Sequence, residues 1–392
     1  MKIGIDCRTI LNPEKGAGAG VSHYVYQLVR HLLQIDKENT YFLFFDRSVQ
    51  TKKLKKFKQK NVFVRFFPFY QYRQLLPERY INHLVNATLA KENLDVLHIP
   101  SSFPYYQYKG LTVTTVHDLV FYKFPELVET EELQELKVNF PHILKKSKKI
   151  IAVSKSTAKD LRELFLLSPQ KIEVIYHGID KRFFTKTSLK DISKIKQKYK
   201  IKKKYLFFIG TLEARKNILR IIESYERFRE KIGAEPGKKD ISFDYQLVLS
   251  GAPGEKFEKI KKKIFQSKYK KDIILTGYVP AEDLDSLFGG ADLFIFPTLY
   301  EGFGLPILEA LAKGVPVITS NVSSLPEITN RAAILVDPYN VAEITRGIYN
   351  VLFDRSLKKK LINQGKKVVE KFSWEKCARQ TLAVYKKVQK NN

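Results

Sequence analysis

Short runs of β-branched and aromatic residues alternate with amphipathic stretches along the chain, in two separate series. The first series consists of KIGID, YFLFF, VFVRFF, DVLHI, LTVTTVH and KIIAVS. The second begins with KYLFFIG at residue 204 and continues with YQLVLSG, DIILTGYV, ADLFIFP, VPVITS and AAILVD. Strands that alternate with helices form parallel sheets with helices on both faces. The pattern predicts an α/β protein with two doubly wound, Rossmann-like domains.

The chain is too long for a single hydrophobic core. With 392 residues, two domains are the default expectation. A polar, lysine-rich stretch between the two series is interpreted as a linker. The predicted division is 1–180 for the first domain, 181–203 for the linker, 204–372 for the second domain and 373–392 for a final helix. Ligands of open α/β sheets bind outside the carboxyl ends of the strands, so the two domains are expected to face a cleft.

The final helix has a clear starting signal. Ser373 stands at the N-cap position, and apolar or aromatic side chains follow it at helical spacing. These side chains are Trp374, Ala378, Leu382 and Tyr385. One face of the helix is therefore expected to be buried, and we expect the helix to pack back toward the first domain.

The charge balance indicates an anionic partner. The 69 basic and 41 acidic residues give a formal charge of +28, which fits nucleic acid, anionic lipid or a phosphorylated substrate equally well. Cys7 and Cys377 are the only cysteines, which provides neither a disulfide framework nor a metal-ligand cluster. The first residues lack the layout of a signal peptide, and no apolar run approaches the roughly 18 to 20 residues that span a bilayer. A cytoplasmic location is expected.

Two loops could bind phosphate at the start of a helix. In the first domain, Gly18 and Gly20 belong to the glycine-rich sequence GAGAG, which leads into a helix near Val21. The glycine spacing differs from the dinucleotide-binding fingerprint, so a flexible turn explains this loop about as well. In the second domain, GTLEARKN places Arg215 and Lys216 at the carboxyl end of a strand, where their cations could meet phosphate oxygens.

The stretch PTLYEGFGLPILEALAKG contains two glutamates around a glycine turn that runs into a helix. Pro306 is tolerated in the first helical turn, and the N–H groups of Phe303, Gly304 and Leu305 can point at an anion. Glu301 in the turn and Glu309 in the helix can accept hydrogen bonds from sugar hydroxyls. Amides and cations at the centre with carboxylates at the rim suit a nucleotide diphosphate sugar.

Paired carboxylates also occur in glycosidases, where one is the acid and the other the nucleophile. In that case the features around Gly18, Lys216 and Gly304 would serve no purpose. A basic nucleic-acid-binding protein is the main alternative from another class, but no zinc-finger spacing or RNA-binding motif accompanies the charge. No nucleic-acid partner is therefore expected.

The segment from Gly210 to Pro338 resembles the second domain of family 4 retaining glycosyltransferases, which have the two-Rossmann GT-B architecture. The matching pieces are GTLEARKN, LSGAPG, the stretch from LTGYVP to SSLPEI, and AAILVDP. In the first domain GIDCRTI, GAGAGVSHYVYQL, TVHDL, IIAVSKSTAKDL and VIYHGID also fit. A catalytically silent homologue is an alternative, although Lys216, Glu301 and Glu309 are intact.

The resemblance implies a role for each matching residue. Lys216 and Arg215 would neutralise the donor diphosphate, Glu309 would hold the ribose hydroxyls, and the backbone at Val279 would pair with the base. Glu301, with the turn of Gly302, Phe303, Gly304 and Leu305, would hold the transferred sugar and its phosphate. In the first domain Gly18 and Gly20 would let their loop close over the donor.

The resemblance also implies catalytic and acceptor-side residues. His117 would lie near the sugar with Asp118 beside it, and we group His117, Lys216 and Glu301 as catalytic. Many relatives have an arginine where Ser22 or His23 falls, and His23 is taken as an acceptor-side residue with Asp118.

The implied reaction is metal-independent transfer with retention of anomeric configuration and without a cofactor. No acidic pair suits a divalent ion, so Lys216, Arg215 and a helix N-terminus would stabilise the leaving diphosphate. No enzymic nucleophile is evident, which favours front-face displacement. A hexose is expected, with mannose from GDP-mannose suggested by the resemblance; glucose, galactose and UDP donors remain open.

The acceptor is expected to be a saccharide or a polyprenyl-linked saccharide in cell-surface polysaccharide synthesis. The aromatic and arginine-containing stretch 64–80 and the lysine run 51–60 could meet an anionic membrane surface. A core strand followed by a packed loop explains stretch 64–80 about equally well. The corresponding hypothesis is peripheral association with the inner face of the membrane.

Overall fold

The structure is a computed structural model that describes residues 1–10, 19–49, 54–67, 78–101, 108–127, 130–234 and 244–390. The chain divides into two compact units. The first unit consists of Met1–Gly178 and Ser373–Asn392, and the second of Ile179–Phe372. Each unit is built on one parallel sheet with helices, which confirms the predicted fold class.

The first unit contains a seven-stranded sheet in the order β3-β2-β1-β4-β5-β6-β7. Its strands are β1 Lys2–Asp6, β2 Thr40–Asp46, β3 Val62–Phe67, β4 Val96–Ile99, β5 Thr112–Val116, β6 Lys149–Ala152 and β7 Ile172–Val174. All neighbouring strands pair in parallel. The central strands β1, β4 and β5 are almost wholly buried, as expected for a sheet covered on both faces.

Helices cover this sheet and supply the rest of the first core. They are α1 Ala19–Ile35, α2 Glu78–Ala90, α3 Val120–Lys123, α4 Thr130–Lys146, α5 Lys155–Phe165 and, after the second unit, α14 Trp374–Lys390. Short 3-10 turns lie at Lys55–Phe57, Pro125–Leu127 and Pro169–Lys171.

Helix α14 packs against the rest of the first unit, as predicted from the sequence. Ser373 caps its first turn by accepting a hydrogen bond from the Lys376 amide at 3.4 Å. Trp374 and Tyr385 are buried, and the helix packs on α1. The Tyr385 hydroxyl lies 2.6 Å from Nδ1 of His98 on β4, so a buried hydrogen bond as well as apolar packing fixes the helix to the sheet.

The second unit contains a six-stranded parallel sheet in the order β10-β9-β8-β11-β12-β13. Its strands are β8 Lys204–Ile209, β9 Tyr245–Ser250, β10 Ile273–Gly277, β11 Leu293–Phe296, β12 Val317–Ser320 and β13 Ala333–Val336. Its helices are α6 Leu189–Lys198, α7 Ile218–Ala234, α8 Phe257–Gln266, α9 Ala281–Gly289, α10 Leu305–Ala312, α11 Leu325–Thr329, α12 Val341–Phe353 and α13 Arg355–Val369. Further 3-10 turns lie at Lys181–Phe184, Ala214–Lys216 and Lys270–Asp272.

The stretch 181–203, interpreted from the sequence as a linker, is an ordered part of the second unit and includes α6. Most of its lysines are exposed, whereas Ile195 and Ile201 are buried. The ammonium group of Lys313, on a side chain only 2% exposed, donates to the carbonyl of Thr185 at 2.6 Å and to Thr187 Oγ1 at 3.1 Å. The polar composition that suggested a linker therefore belongs to the solvated face of a packed segment.

In each sheet the order in which the chain adds strands reverses at one point, although all the strands are parallel. In the first unit the switch lies between β1 and β4, and in the second between β8 and β11. Crossover connections leave in opposite directions there, which opens a crevice at the carboxyl ends of those strands. The loops that follow β8 and β11 are therefore the expected ligand-binding segments of the second unit.

Among the helices in the described residues, none combines the length and the apolar composition needed to cross a membrane.

Candidate functional site

The loop after β8 presents two cations. One turn of 3-10 helix, Ala214–Lys216, follows the strand and ends at Asn217 in the left-handed conformation. Lys216 is only 8% exposed, and its ammonium group lies 5.4 Å from the centre of the Phe296 ring. A buried lysine at the carboxyl edge of a sheet requires a charged partner.

That partner lies on the loop after β11. The Lys216 ammonium group contacts Oε1 of Glu301, a residue 85 positions later in the sequence. Arg215 Nη1 lies 3.3 Å from the same carboxylate oxygen and donates to the Tyr300 carbonyl at 3.0 Å. The Arg215 Nε also donates to Glu213 at 3.1 Å. Three residues predicted separately for the donor site therefore form one ionic cluster.

Burial and the neighbouring charges shift the pKa values of Glu301 and Lys216. Burial opposes ionisation of Glu301, but Lys216 and then Arg215 outweigh it and hold the pKa of this carboxyl below its usual value. Burial and the neighbouring Arg215 cation lower the pKa of Lys216, while Glu301 acts in the opposite direction. Glu301 therefore ionises more readily than an ordinary glutamate.

The turn that carries Glu301 leads into helix α10. Gly304 adopts a φ of 101°, which favours glycine, and a Cβ there would lie 3.0 Å from Leu325 Cδ2. Helix α10 begins at Leu305, with Pro306 in its first turn, as predicted. Pro306 has no N–H and the Ile307 amide donates to the Gly304 carbonyl at 3.0 Å, so the amides of Gly304 and Leu305 are the ones from which an anion could accept hydrogen bonds.

Two serines hold this turn in place. Ser323 Oγ accepts a hydrogen bond from the Glu301 amide at 3.1 Å. The Ser324 hydroxyl lies 3.0 Å from the Glu301 carbonyl and 2.9 Å from the Phe303 carbonyl. Sequence reasoning did not assign these serines a role, because two loop serines give no signal of a partner twenty residues away.

Glu309 has different surroundings from Glu301. It lies one turn into α10 and is half-buried. Burial raises the pKa of its carboxyl to about 7; Arg182 opposes this shift and Asp180 adds to it. Arg182 belongs to the stretch interpreted as a linker and Asp180 to the end of the predicted first domain, so neither was expected near Glu309.

Val279 follows β10 and is buried. Strand β10 lies two places from β8 in the sheet, which corresponds to about 10 Å at the usual spacing of strands. Val279 thus lies toward one side of the Lys216 cluster, at the same edge of the sheet.

In the first unit, His117 follows β5 and is enclosed by aromatic rings. Its Nε2 lies 2.9 Å from the Pro100 carbonyl, so this nitrogen carries the hydrogen and donates it. The ring packs edge-on against Tyr24 at 4.8 Å, and His177 lies 5.5 Å away. Burial lowers the pKa of His117, although the Pro100 contact and the Asp118 charge oppose the shift. The imidazole is therefore mainly neutral at pH 7.

The remaining predicted residues of the first unit have local roles in the structure. Asp118 Oδ1 accepts a hydrogen bond from the Val120 amide at 3.2 Å, at the start of α3. His23 lies on α1 with its ring 5.8 Å from the Trp374 ring. Gly20 is the second residue of α1, which begins at Ala19, and a Cβ there would meet no atom within 4 Å. Gly18 lies outside the described residues, and so do most of 64–80 and part of the lysine run 51–60.

Two family models match the chain in succession. Residues 18–183 match the model described as Glycosyltransferase Family 4, and residues 191–368 match the model described as Glycosyl transferases group 1. The second match contains all the residues of the ionic cluster and helix α10.

Comparisons with individual proteins agree with these two family matches. The chain is 28% identical over 382 residues to O-antigen chain mannosyltransferase B of Escherichia coli, covering 95% of this chain and 97% of that protein. Sucrose-phosphate synthase from Thermosynechococcus elongatus has a TM-score of 0.75 at 18% identity, covering 100% of both chains. The Anabaena protein HepE, solved with UDP and glucose, has a TM-score of 0.73 at 16% identity, covering 99% of this chain and 100% of that chain. The two structural likenesses show the fold.

Proposed function

Because the chain belongs to the glycosyltransferases of group 1 and family 4, we propose that it transfers a hexose from a nucleotide diphosphate sugar. The observation that carries this proposal is the cluster of Lys216, Arg215 and Glu301 beside the start of α10. Cations and helix amides meet there at the carboxyl ends of β8 and β11, where open α/β sheets bind ligands. The diphosphate of such a ligand would contact the cations and the amides, and its hydroxyl groups would donate hydrogen bonds to the Glu301 carboxylate.

In this proposal the cluster acts on the leaving group. When the glycosidic bond to the diphosphate breaks, negative charge grows on the phosphate oxygen. Lys216 and the amides of Gly304 and Leu305 would stabilise that charge, and they require little rearrangement because neighbouring side chains already hold Lys216 and the turn. Glu301, kept ionised by the two cations, would accept hydrogen bonds from the hydroxyls of the transferred sugar.

The proposed transfer retains anomeric configuration and needs no metal. Glu301 is engaged by two cations, which makes it a poor nucleophile and supports front-face displacement over a covalent intermediate. His117 is proposed to contact the sugar as a neutral imidazole, with Asp118 and His23 on the acceptor side. Glycine residues 18 and 20 are proposed to border the donor.

Mannose is the proposed sugar and GDP-mannose the proposed donor. The support comes from the E. coli relative, whose name describes an O-antigen chain mannosyltransferase and which aligns over nearly the whole chain. The proposed acceptor is accordingly a saccharide or lipid-linked saccharide of a cell-surface polysaccharide. Peripheral membrane association stays a prediction; failure to sediment with anionic vesicles at low salt would remove it.

Transfer is tested directly with purified protein. GDP-mannose, UDP-glucose and UDP-galactose are each incubated with mannose-terminated oligosaccharides, and the product linkage is determined by NMR. We expect an α-linked product from an α-linked donor, formed at an unchanged rate in EDTA. A β-linked product would contradict retention, and activity lost in EDTA and restored by Mg²⁺ would contradict metal independence.

The affinity for the donor nucleotide is expected to rise about tenfold between pH 6 and pH 8. The pKa of Glu309 is about 7 in the folded protein, so most carboxyls are protonated at pH 6 and ionised at pH 8. Ribose hydroxyls donate to the ionised form, and the tenfold figure follows if binding returns the pKa to its ordinary value. Isothermal titration at several pH values measures the effect.

The matched control is Glu309→Gln, which cannot ionise. We expect this variant to bind weakly at every pH and to lose the rise in affinity. An equal rise in the parent and in Glu309→Gln would show that another group titrates. The sign is opposite for the stability of the unliganded protein: a raised carboxyl pKa gives stability that is lost as the pH rises through about 7.

A further inference from the structure

Asn217 follows Lys216 directly and is in contact with three other parts of the second unit. Its Nδ2 donates to the Pro297 carbonyl at 2.8 Å and to the Pro338 carbonyl at 2.7 Å. Its Oδ1 accepts from Arg220 Nη1 at 2.9 Å. The side chain is 3% exposed, so its hydrogen bonds are made away from solvent.

The two carbonyl partners lie in the loops after two different strands. Pro297 follows β11 immediately, and Pro338 lies two residues after β13. Strand β13 is two places beyond β11 in the sheet. One amide group therefore connects the end of the Lys216 turn to the carboxyl ends of both strands.

The backbone of Asn217 also restricts which residue can stand there. Its φ of 63° places it in the left-handed region, where asparagine and glycine are favoured. Two carbonyl oxygens require two N–H donors, and Arg220 requires an acceptor. Glycine satisfies the backbone but offers no donors, and aspartate offers no donors either, so asparagine satisfies both requirements.

We infer that Asn217 is a positioning residue, which fixes the Arg215–Lys216 turn against β11 and thereby sets the place of the Lys216 ammonium group in the donor site. A second contact also holds this turn against the loop after β11: the Leu299 amide donates to the Arg215 carbonyl at 2.9 Å. Asn217 acts through Lys216 and does not itself touch the ligand. The inference rests on the proposed function of the cluster.

The test is the binding of a nucleoside diphosphate, measured by isothermal titration. GDP, UDP and ADP are titrated into the parent, and the tightest binder is then used for every variant. Asn217→Gly keeps the left-handed backbone and removes the side chain, and we expect it to weaken binding about tenfold, since small misplacements of a binding group have effects of this size or larger. Lys216→Ala and the double variant complete a mutant cycle.

A positioning role predicts that the effects do not add. Once Lys216 is absent, Asn217→Gly should change affinity less than threefold, because the group that it positions is gone. A merely structural role predicts the same fold-loss in both backgrounds. Additive losses, or an Asn217→Gly affinity within twofold of the parent, would overturn the inference.

The matched control is Asn330→Gly. Asn330 also has a positive φ, of 42°, at the end of a helix in the second unit, but its side chain is exposed. We expect Asn330→Gly to bind the nucleoside diphosphate with the affinity of the parent. If the parent binds none of the three nucleotides, the proposed function fails and the inference fails with it; if the parent binds and only the cycle is additive, the inference alone fails.

Discussion

Replacing Lys216 with alanine is expected to lower kcat/KM for glycosyl transfer by about 10²- to 10³-fold, the usual effect of removing one preorganised group that stabilises charge in a transition state. Lys216 is buried in contact with Glu301, so neither water nor a nearby flexible cation can substitute for it easily. Arg215 remains beside Glu301 at 3.3 Å and should preserve the fold of the turn. The loss should therefore appear in kcat more than in thermal stability.

The control for this experiment is Lys263→Ala. Lys263 lies on α8, with its ammonium group 2.8 Å from Glu226 and its side chain 35% exposed. Removing it changes the net charge of the protein as Lys216→Ala does, but outside the ionic cluster. We expect Lys263→Ala to retain parental kcat/KM. A Lys216→Ala variant with more than a fifth of parental activity would contradict the assigned role.

Replacing Gly251 with alanine is expected to lower the free energy of unfolding of the second unit by about 3 to 5 kcal/mol, from overpacking together with backbone strain. A Cβ at Gly251 would lie 1.8 Å from the Gly210 carbonyl oxygen, and the residue has a φ of 143°. Gly210 begins the loop that carries Lys216, so a backbone shift that relieves the clash is expected to move the proposed donor site as well. Denaturant unfolding followed by circular dichroism measures the change.

Gly233→Ala is the matched control. Gly233 lies in helix α7, and a Cβ there would meet no atom within 4 Å. Alanine in an exposed helix is expected to raise the free energy of unfolding by about 0.5 to 1 kcal/mol relative to glycine. A Gly251→Ala variant as stable as the parent would show that the ends of β8 and β9 can separate enough to admit a methyl group.

The strands of both sheets were predictable because they are short, apolar and flanked by polar loops. Every predicted strand run contains a strand in the structure. Strand β7, Ile172–Val174, was not predicted, because three residues at the edge of a sheet give no periodic signal. The stretch 181–203 was misleading for a different reason: composition reports the solvated face of α6 but not the burial of Ile195 on its other face.

The members of the ionic cluster could be singled out in the sequence, but their contacts with one another could not. Arg215, Lys216 and Glu301 each stand in a recognisable loop, yet their meeting depends on β8 and β11 being neighbours in the sheet. That order is a property of the whole fold. Asn217, Ser323 and Ser324 were missed because most of their partners are backbone groups, which leave no trace in the pattern of side chains.

We propose that the second unit binds a nucleotide diphosphate sugar through Lys216 and Glu309. The most direct measurement is thermal stabilisation of the purified protein by GDP, UDP, ADP and their sugars, with Lys216→Ala and Glu309→Ala in parallel. At 100 times its dissociation constant a ligand adds about 2.7 kcal/mol to stability, which is readily seen as a rise in Tm. We predict a rise with one nucleotide family that is lost in both variants. No rise with any nucleotide, or an undiminished rise in Lys216→Ala, would show that Lys216 does not bind a nucleotide in this protein.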